Sequence, residues 1–275
     1  MGIIDAHLHV SFNATELVKI AKELSIDYGE AGLLKEMSKN GVTHAVGISS
    51  PGNESPFSKQ PTPVDSENIL PFYKRNKNIL GVCTVNPLKV DTKILKSVEK
   101  SIKEKVFKAF KIFPGYFYFY PHDKVYHHVY RLAEKHGLPV IIHSGITFKK
   151  NALMKYAHPM HVDDAATLFP NVKFIMAHLG NPWMETAKAV MYKNDNVYAD
   201  LSGLFEGSGY AEKEDVKDEI LKLTKWVGYD RLLYGSDWPI VRMDEYLSVL
   251  RWIIPQEFHQ KVFYDNARKI FDFNL

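Results

Sequence analysis

The sequence predicts an α/β protein, a single barrel in which eight parallel strands alternate with helices, and three observations carry that prediction. The chain has 275 residues, near the usual size of one such barrel. Short β-branched or apolar runs alternate with longer helical patterns, the signature of βα units rather than of a sandwich. There are eight such runs, enough to close a (β/α)8 TIM barrel as one domain over residues 1–275.

The runs fall at 2–9, 43–49, 79–85, 107–113, 139–143, 172–178, 196–201 and 231–237. Asn40-Gly41 precedes the second and His136-Gly137-Leu138-Pro139 the fifth, as a helix C-terminus requires before a strand. Helical patterns at 66–76, 91–105, 124–136, 183–193 and 212–227 are long enough to serve as crossovers. Residues 50–63 contain Pro51, Pro56, Pro61 and Pro63, a stiff loop after the second strand that reads as a pocket wall or as passive surface. No Pro/Ser-rich linker divides the chain.

Composition narrows the functional classes. With 45% apolar and 24% charged residues, neither a disordered nor a fibrous chain fits. The 35 basic residues are interleaved with 32 acidic ones, so nucleic acid is not an expected partner. No stretch is apolar enough to span a membrane, and Asp5 and His7 interrupt any signal peptide. The single cysteine, Cys83, lies in an apolar run and reads as a small core residue of a reducing compartment, so the expected location is the cytoplasm.

Polar, metal-capable side chains stand at the C-terminal ends of otherwise apolar strands, where barrel enzymes keep their active sites. Ile4-Asp5-Ala6-His7-Leu8-His9 places His7 and His9 on one face, two residues apart. Burying such a pair calls for a cation or several acceptors. His143 ends the fifth run, His178 the sixth, and Asp237 the eighth. Three histidines and a carboxylate suit one divalent ion, Zn2+ in the first instance, with a position open to water and a fourth histidine free for proton transfer.

On these residues the chain resembles the metal-dependent hydrolases of the amidohydrolase superfamily, in the branch that includes mononuclear decarboxylases, hydratases and lactonases. The resemblance runs nearly end to end. It rests on Ile4-Asp5-Ala6-His7-Leu8-His9, Ile142-His143-Ser144-Gly145, Ala177-His178-Leu179-Gly180 and Leu233-Tyr234-Gly235-Ser236-Asp237-Trp238-Pro239, with Asn266-Ala267-Arg268 in support. It implies that His7, His9, His143 and Asp237 bind the metal, while His178 and Asp237 handle protons around an activated water. Lys111, near the end of the fourth run, is where some relatives carry a carboxylated lysine bridging two metals. It is open here as bridge, substrate contact or structural lysine.

Three further readings concern the substrate. Tyr116 belongs to the five consecutive aromatics 116–120, which cannot all be hidden and which form either a substrate wall or subunit contact or packing over the rim. Arg242 lies shortly after the eighth run and joins Lys111 and Tyr116 as a substrate-binding candidate. Asp200, ending the seventh run, is placed to orient a ligating histidine or to cap a turn. His122, His127, His128, His158 and His161 have no strand end to aim them inward and read as exposed or helix-terminal.

The expected function is hydrolysis of a C–N or C–O bond in a small carbonyl compound, such as an amide or lactone, by a metal-activated water. Nonoxidative decarboxylation of a small carboxylic acid is the rival. It asks for a cation on the substrate carboxylate, and the chain has only six arginines. A non-catalytic ligand-binding barrel is the third reading, disfavoured because an unused set of buried ionisable groups is costly. A homodimer is the default assembly.

Overall fold

Strand closure is the property that decides where every catalytic candidate sits. The computed structural model describes residues 2–49, 66–89, 91–205 and 213–273. Its eight strands are β1 (Ile3–His9), β2 (Val42–Ile48), β3 (Ile79–Thr84), β4 (Phe107–Ile112), β5 (Val140–Ile142), β6 (Phe174–Met176), β7 (Val197–Asp200) and β8 (Leu232–Leu233). Each pairs in parallel with the next, in the order β1 to β8. Hydrogen bonds from Ala6 N to Tyr234 O and from Asp237 N to His7 O, each 2.8 Å, join the last strand to the first. The predicted (β/α)8 barrel is therefore the observed architecture. The proline-rich stretch 50–63 lies outside the described residues.

The helices are α1 (Thr15–Glu23), α2 (Glu30–Lys39), α3 (Ser66–Arg75), α4 (Thr92–Lys103), α5 (His127–His136), α6 (Met160–Leu168), α7 (Met184–Lys193), α8 (Lys213–Val227), α9 (Met243–Ile253) and α10 (Asn266–Ile270). Their ends follow local chemistry. Asp91 caps α4 by accepting from Ile94 N at 2.7 Å, and α5 stops at Gly137, whose φ of +65° is the left-handed turn predicted there.

Two apolar layers hold the molecule together. Strand residues such as Phe110, Ile142, Phe174 and Met176 pack outward against the helices. Ile4, Ala6, Val46, Val82, Ala109, Ile141, Ile175 and Leu233 fill the barrel interior. Each fully buried Ile, Leu or Phe contributes roughly 1.5–3 kcal/mol relative to exposure. Cys83 is buried in the outer layer, and burial pushes its thiol up to about 12, so it is a packing residue as read.

Alternation then assigns the strand ends. Lys111 is two residues beyond the interior Ala109, and His143 two beyond the interior Ile141. The first strand breaks the rule. Ile4 and Ala6 are interior whereas Leu8 faces the helices, because Asp5 pairs with Ala45 and Leu8 with Gly47, leaving one extra residue on β1. This bulge turns His7 and His9 toward the barrel mouth, which an unbroken alternation from Ala6 would not do. Among the described residues, no helix is long and apolar enough to cross a membrane.

Candidate active site at the barrel mouth

A cavity of about 540 Å3 opens at the C-terminal ends of the strands. Its floor carries His7, His9, Lys111, His143, His178 and Asp237, and Phe113, Tyr116, Phe148 and Lys149 rise around it. Residues from five strand ends, far apart in the chain, thus reach one space.

Asp237 is the point on which the imidazoles converge. His9 Nε2 lies 3.1 Å and His7 Nε2 3.5 Å from its Oδ1, and His178 Nδ1 is 3.9 Å from its Oδ2. Burial alone would raise this carboxyl, but His178, His9 and His7 overcome it and hold it below the usual carboxylate range. The backbone is strained to bring these groups in. Asp237 has φ +64° and His178 φ +59°, left-handed conformations that cost a non-glycine residue about 1–3 kcal/mol each and cluster at functional sites.

Asp200 organises the histidines from behind. Its Oδ2 accepts from His7 Nδ1 at 2.8 Å, and its Oδ1 accepts from the backbone N–H groups of His178 and Ser202 at 3.0 and 3.1 Å. Ser202 Oγ donates to the same carboxylate and lies 3.0 Å from His178 Nδ1. Burial opposes ionisation of Asp200, yet His7, His178 and Lys111 together keep its carboxyl below the ordinary range. The contacts of Asp200 match both roles open to it in the sequence: it orients the His7 ring and, by accepting from Ser202 N, caps the turn after β7. Ser202 was not foreseen, since a serine two residues past a strand carries no sequence signal of its own.

These partners settle which nitrogens are free. His7 donates from Nδ1 to Asp200, so its Nε2 carries a bare lone pair, is buried and has no hydrogen-bond partner. Burial chiefly, with Lys111 adding and Asp200 opposing, lowers the His7 pKa to about 4. His178 donates from Nδ1 to the Ser202 carbonyl at 3.1 Å, which leaves Nε2 as the basic atom. Burial holds its pKa below 6.5 against the pull of Asp237 and Asp200, so the ring is neutral at pH 7. One ligand atom each from His7, His178 and Asp237 lies within 4.8 Å of the others. A buried imidazole lone pair beside a carboxylate is the donor set a divalent ion of the zinc type takes.

His143 stands somewhat apart from this expectation. Its ring is 5.1 Å from that of His178, but its Nε2 donates to Ile146 O at 3.0 Å, so only Nδ1 is available to a ligand. Burial, then His178 and Lys111, lowers its pKa well below 6.5. Of the four expected ligands, the group of mutually close ligand atoms contains His7 and Asp237, includes His178, and leaves out both His143 and His9, whose Nε2 is 3.1 Å from Asp237 Oδ1.

Lys111 is fully buried in the cavity wall, and its Nζ makes no hydrogen bond and lies 5.1 Å over the Phe113 ring. Burial lowers its pKa to about 8, against the attraction of Asp200 and Asp237. Tyr116 sits edge-on to His143 at 5.0 Å, and its hydroxyl accepts from Phe148 N. The aromatic run divides its work: Phe117 is buried in the barrel, Tyr116 lines the cavity, and Tyr118 stacks on Tyr156 outside it. Arg242 is a correction. It does not line the cavity; it precedes α9, where Glu245 at 2.8 Å and Asp244 at 3.7 Å hold its guanidinium.

The chain matches the amidohydrolase family over residues 4–273 and belongs to that family. It is 27% identical over 130 residues to gamma-resorcylate decarboxylase of Polaromonas sp. strain JS666, a match covering 38% of this chain and 36% of that relative. The match thus spans about a third of that relative's length. Its fold is shared with an uncharacterized TIM-barrel protein from Bordetella bronchiseptica, at a TM-score of 0.76, 17% identity and 99% coverage of both chains. A putative 2-pyrone-4,6-dicarboxylic acid hydrolase from Pseudomonas putida has a TM-score of 0.73 and 14% identity, covering 100% of this chain and 98% of its own.

Proposed function

We propose that the protein is a metal-dependent hydrolase of a small planar carbonyl compound bearing a negative charge. The observation that carries this reading is His178: a ring neutral at pH 7, its Nδ1 fixed by Ser202 and its Nε2 free, beside Asp237 and the bare Nε2 of His7. That arrangement is a general base next to a metal-type donor set.

His7, His9 and Asp237 would hold one divalent ion, Zn2+ by donor chemistry, with His143 as a fourth donor through Nδ1. The ion would supply Lewis acidity toward a substrate carbonyl and toward water at neutral pH. His178 Nε2 takes the proton from the attacking water, and the Asp237 carboxylate relays it to the leaving group. Asp200 keeps the His7 imidazole in the tautomer this requires, and the Ser202 carbonyl does the same for His178. Phe113, Tyr116 and Phe148 offer flat apolar walls, and the Lys111 ammonium meets the substrate's negative charge inside the cavity.

Decarboxylation of an aromatic acid is the second reading, favoured by the sequence match to gamma-resorcylate decarboxylase and by the buried Lys111. Among the described residues, no arginine lines the cavity to grip a carboxylate in two-pronged fashion, which places it second. Stripping the metal, restoring it and screening lactones, amides and aromatic carboxylic acids distinguishes the two. Acid release without CO2 supports hydrolysis, CO2 evolution supports decarboxylation, and no metal-dependent turnover contradicts both.

A further inference from the structure

Outside the cavity, the segment after β4 and the helix α6 bring a second set of ligand-type side chains together. His122 Nδ1 lies 3.1 Å and His161 Nδ1 3.7 Å from the same oxygen, Asp164 Oδ2. One donor atom from each of the three lies within 4.8 Å of the other two. His161 and Asp164 are three residues apart on α6 and so share a face. His122 comes from the loop, its ring stacked on Tyr120 at 5.4 Å and 5°, its carbonyl accepting from His127 Nε2 at 3.0 Å. Tyr120 also lies 4.3 Å from the His161 ring, so one aromatic side chain braces both imidazoles.

The unexplained atom is His122 Nδ1. It is buried and makes no hydrogen bond despite its distance from the carboxylate. A hydrogen bond needs its N–H aimed at the oxygen, whereas a shared cation needs only that the donors surround one point.

We propose that His122, His161 and Asp164 form a second divalent transition-metal site that ties the aromatic segment after β4 to α6. Two imidazoles and one carboxylate suit Zn2+ and not Mg2+, which takes oxygen ligands. All three groups are partly exposed, so water completes the coordination and the ion exchanges with solvent. The bracing bears on the active site through the chain itself, since Tyr116 of the same segment lines the catalytic cavity. None of the three residues lines that cavity, and the proposal stands apart from the catalytic reading.

Equilibrium dialysis of chelator-treated protein against Zn2+, with elemental analysis, tests this. Wild type is expected to bind two equivalents, and His7→Ala to keep the one held by this cluster. His122→Ala and Asp164→Asn are each expected to weaken one of the two equivalents at least tenfold, with circular dichroism of the metal-free variants unchanged. Should His122→Ala fail to fold, Asp164→Asn alters only a half-exposed carboxylate and decides the matter alone. Mg2+ in place of Zn2+ should leave this site unfilled. Metal content and affinity in Asp164→Asn equal to those of wild type, whatever the number of equivalents, overturn the proposal.

Discussion

The two histidine clusters of this barrel are built from the same residue types by opposite means. At the barrel mouth, His7, His9, His143, His178 and Asp237 stand at strand ends, are buried or nearly so, and are held from behind by Asp200 and Ser202. At the rim, His122, His161 and Asp164 come from a loop and a helix and are partly exposed, with Tyr120 stacking on both rings and His127 bonding the His122 carbonyl. The difference is one of pre-organisation. The inner cluster has its tautomers chosen and its backbone strained into place, as proton transfer requires; the outer one suits holding an ion.

If that contrast is right, substitutions in the inner cluster should change chemistry by orders of magnitude without unfolding the barrel. His178→Asn should retain the cavity metal and lower kcat by about 10²- to 10⁴-fold, the usual worth of a general base. Steady-state kinetics with metal analysis checks this. A variant that loses its cavity metal instead would make His178 a ligand.

Lys111 sharpens the comparison, because a buried cation without a hydrogen bond is a cost the outer cluster does not bear. Its folded pKa of about 8 lies below the ordinary 10.5, so between these values the unfolded chain binds more protons and stability rises with pH. The cost is fully present below pH 8 and relieved by pH 10.5. In chelator-treated protein, Lys111→Met should raise unfolding free energy at pH 7 by roughly 3 kcal/mol and flatten that rise. Denaturant unfolding across this range measures it, and an unchanged slope would show that Lys111 keeps its proton in the folded state as it does in the unfolded chain, with no cost of burial.

Asp200→Asn keeps the shape but removes the charge that fixes His7. A 10- to 100-fold loss of affinity at the cavity metal site is expected, read by competition with a chelator. The smallest effect should come from Gly203→Ala. A Cβ there would lie 2.7 Å from Asp237 Oδ2 and 3.1 Å from His178 Nδ1, at φ +60°. About 1–2 kcal/mol of stability should be lost, visible as a lower Tm, with a fall in kcat as the pair is pushed apart. Unchanged kcat would mean that the spacing of these two groups does not matter.

The same contrast explains what could be read from the amino-acid sequence. Strands are apolar with a period of two, so a histidine or lysine at the end of such a run announces itself; His143, His178, Lys111 and Asp237 were legible for that reason. His7 and His9 were placed correctly as a pair, but the bulge that turns them inward depends on pairing with β2 and leaves no mark in the β1 sequence. Arg242 was misplaced because closeness to a strand end in sequence says nothing about helix-start partners, and Glu245 three residues on captures it. The His122–His161–Asp164 cluster was invisible, since loop and helix meet only through the packing of α6 beside the β4 segment. Ser202 matters only through three partners that folding supplies.

The central claim is that the barrel mouth holds a divalent ion on His7, His9 and Asp237. Elemental analysis of purified wild type and His7→Ala, both shown to be folded by circular dichroism, tests it most directly. The account predicts that the variant carries one equivalent of metal less than wild type and has lost its turnover. Equal metal content in the two proteins would contradict it.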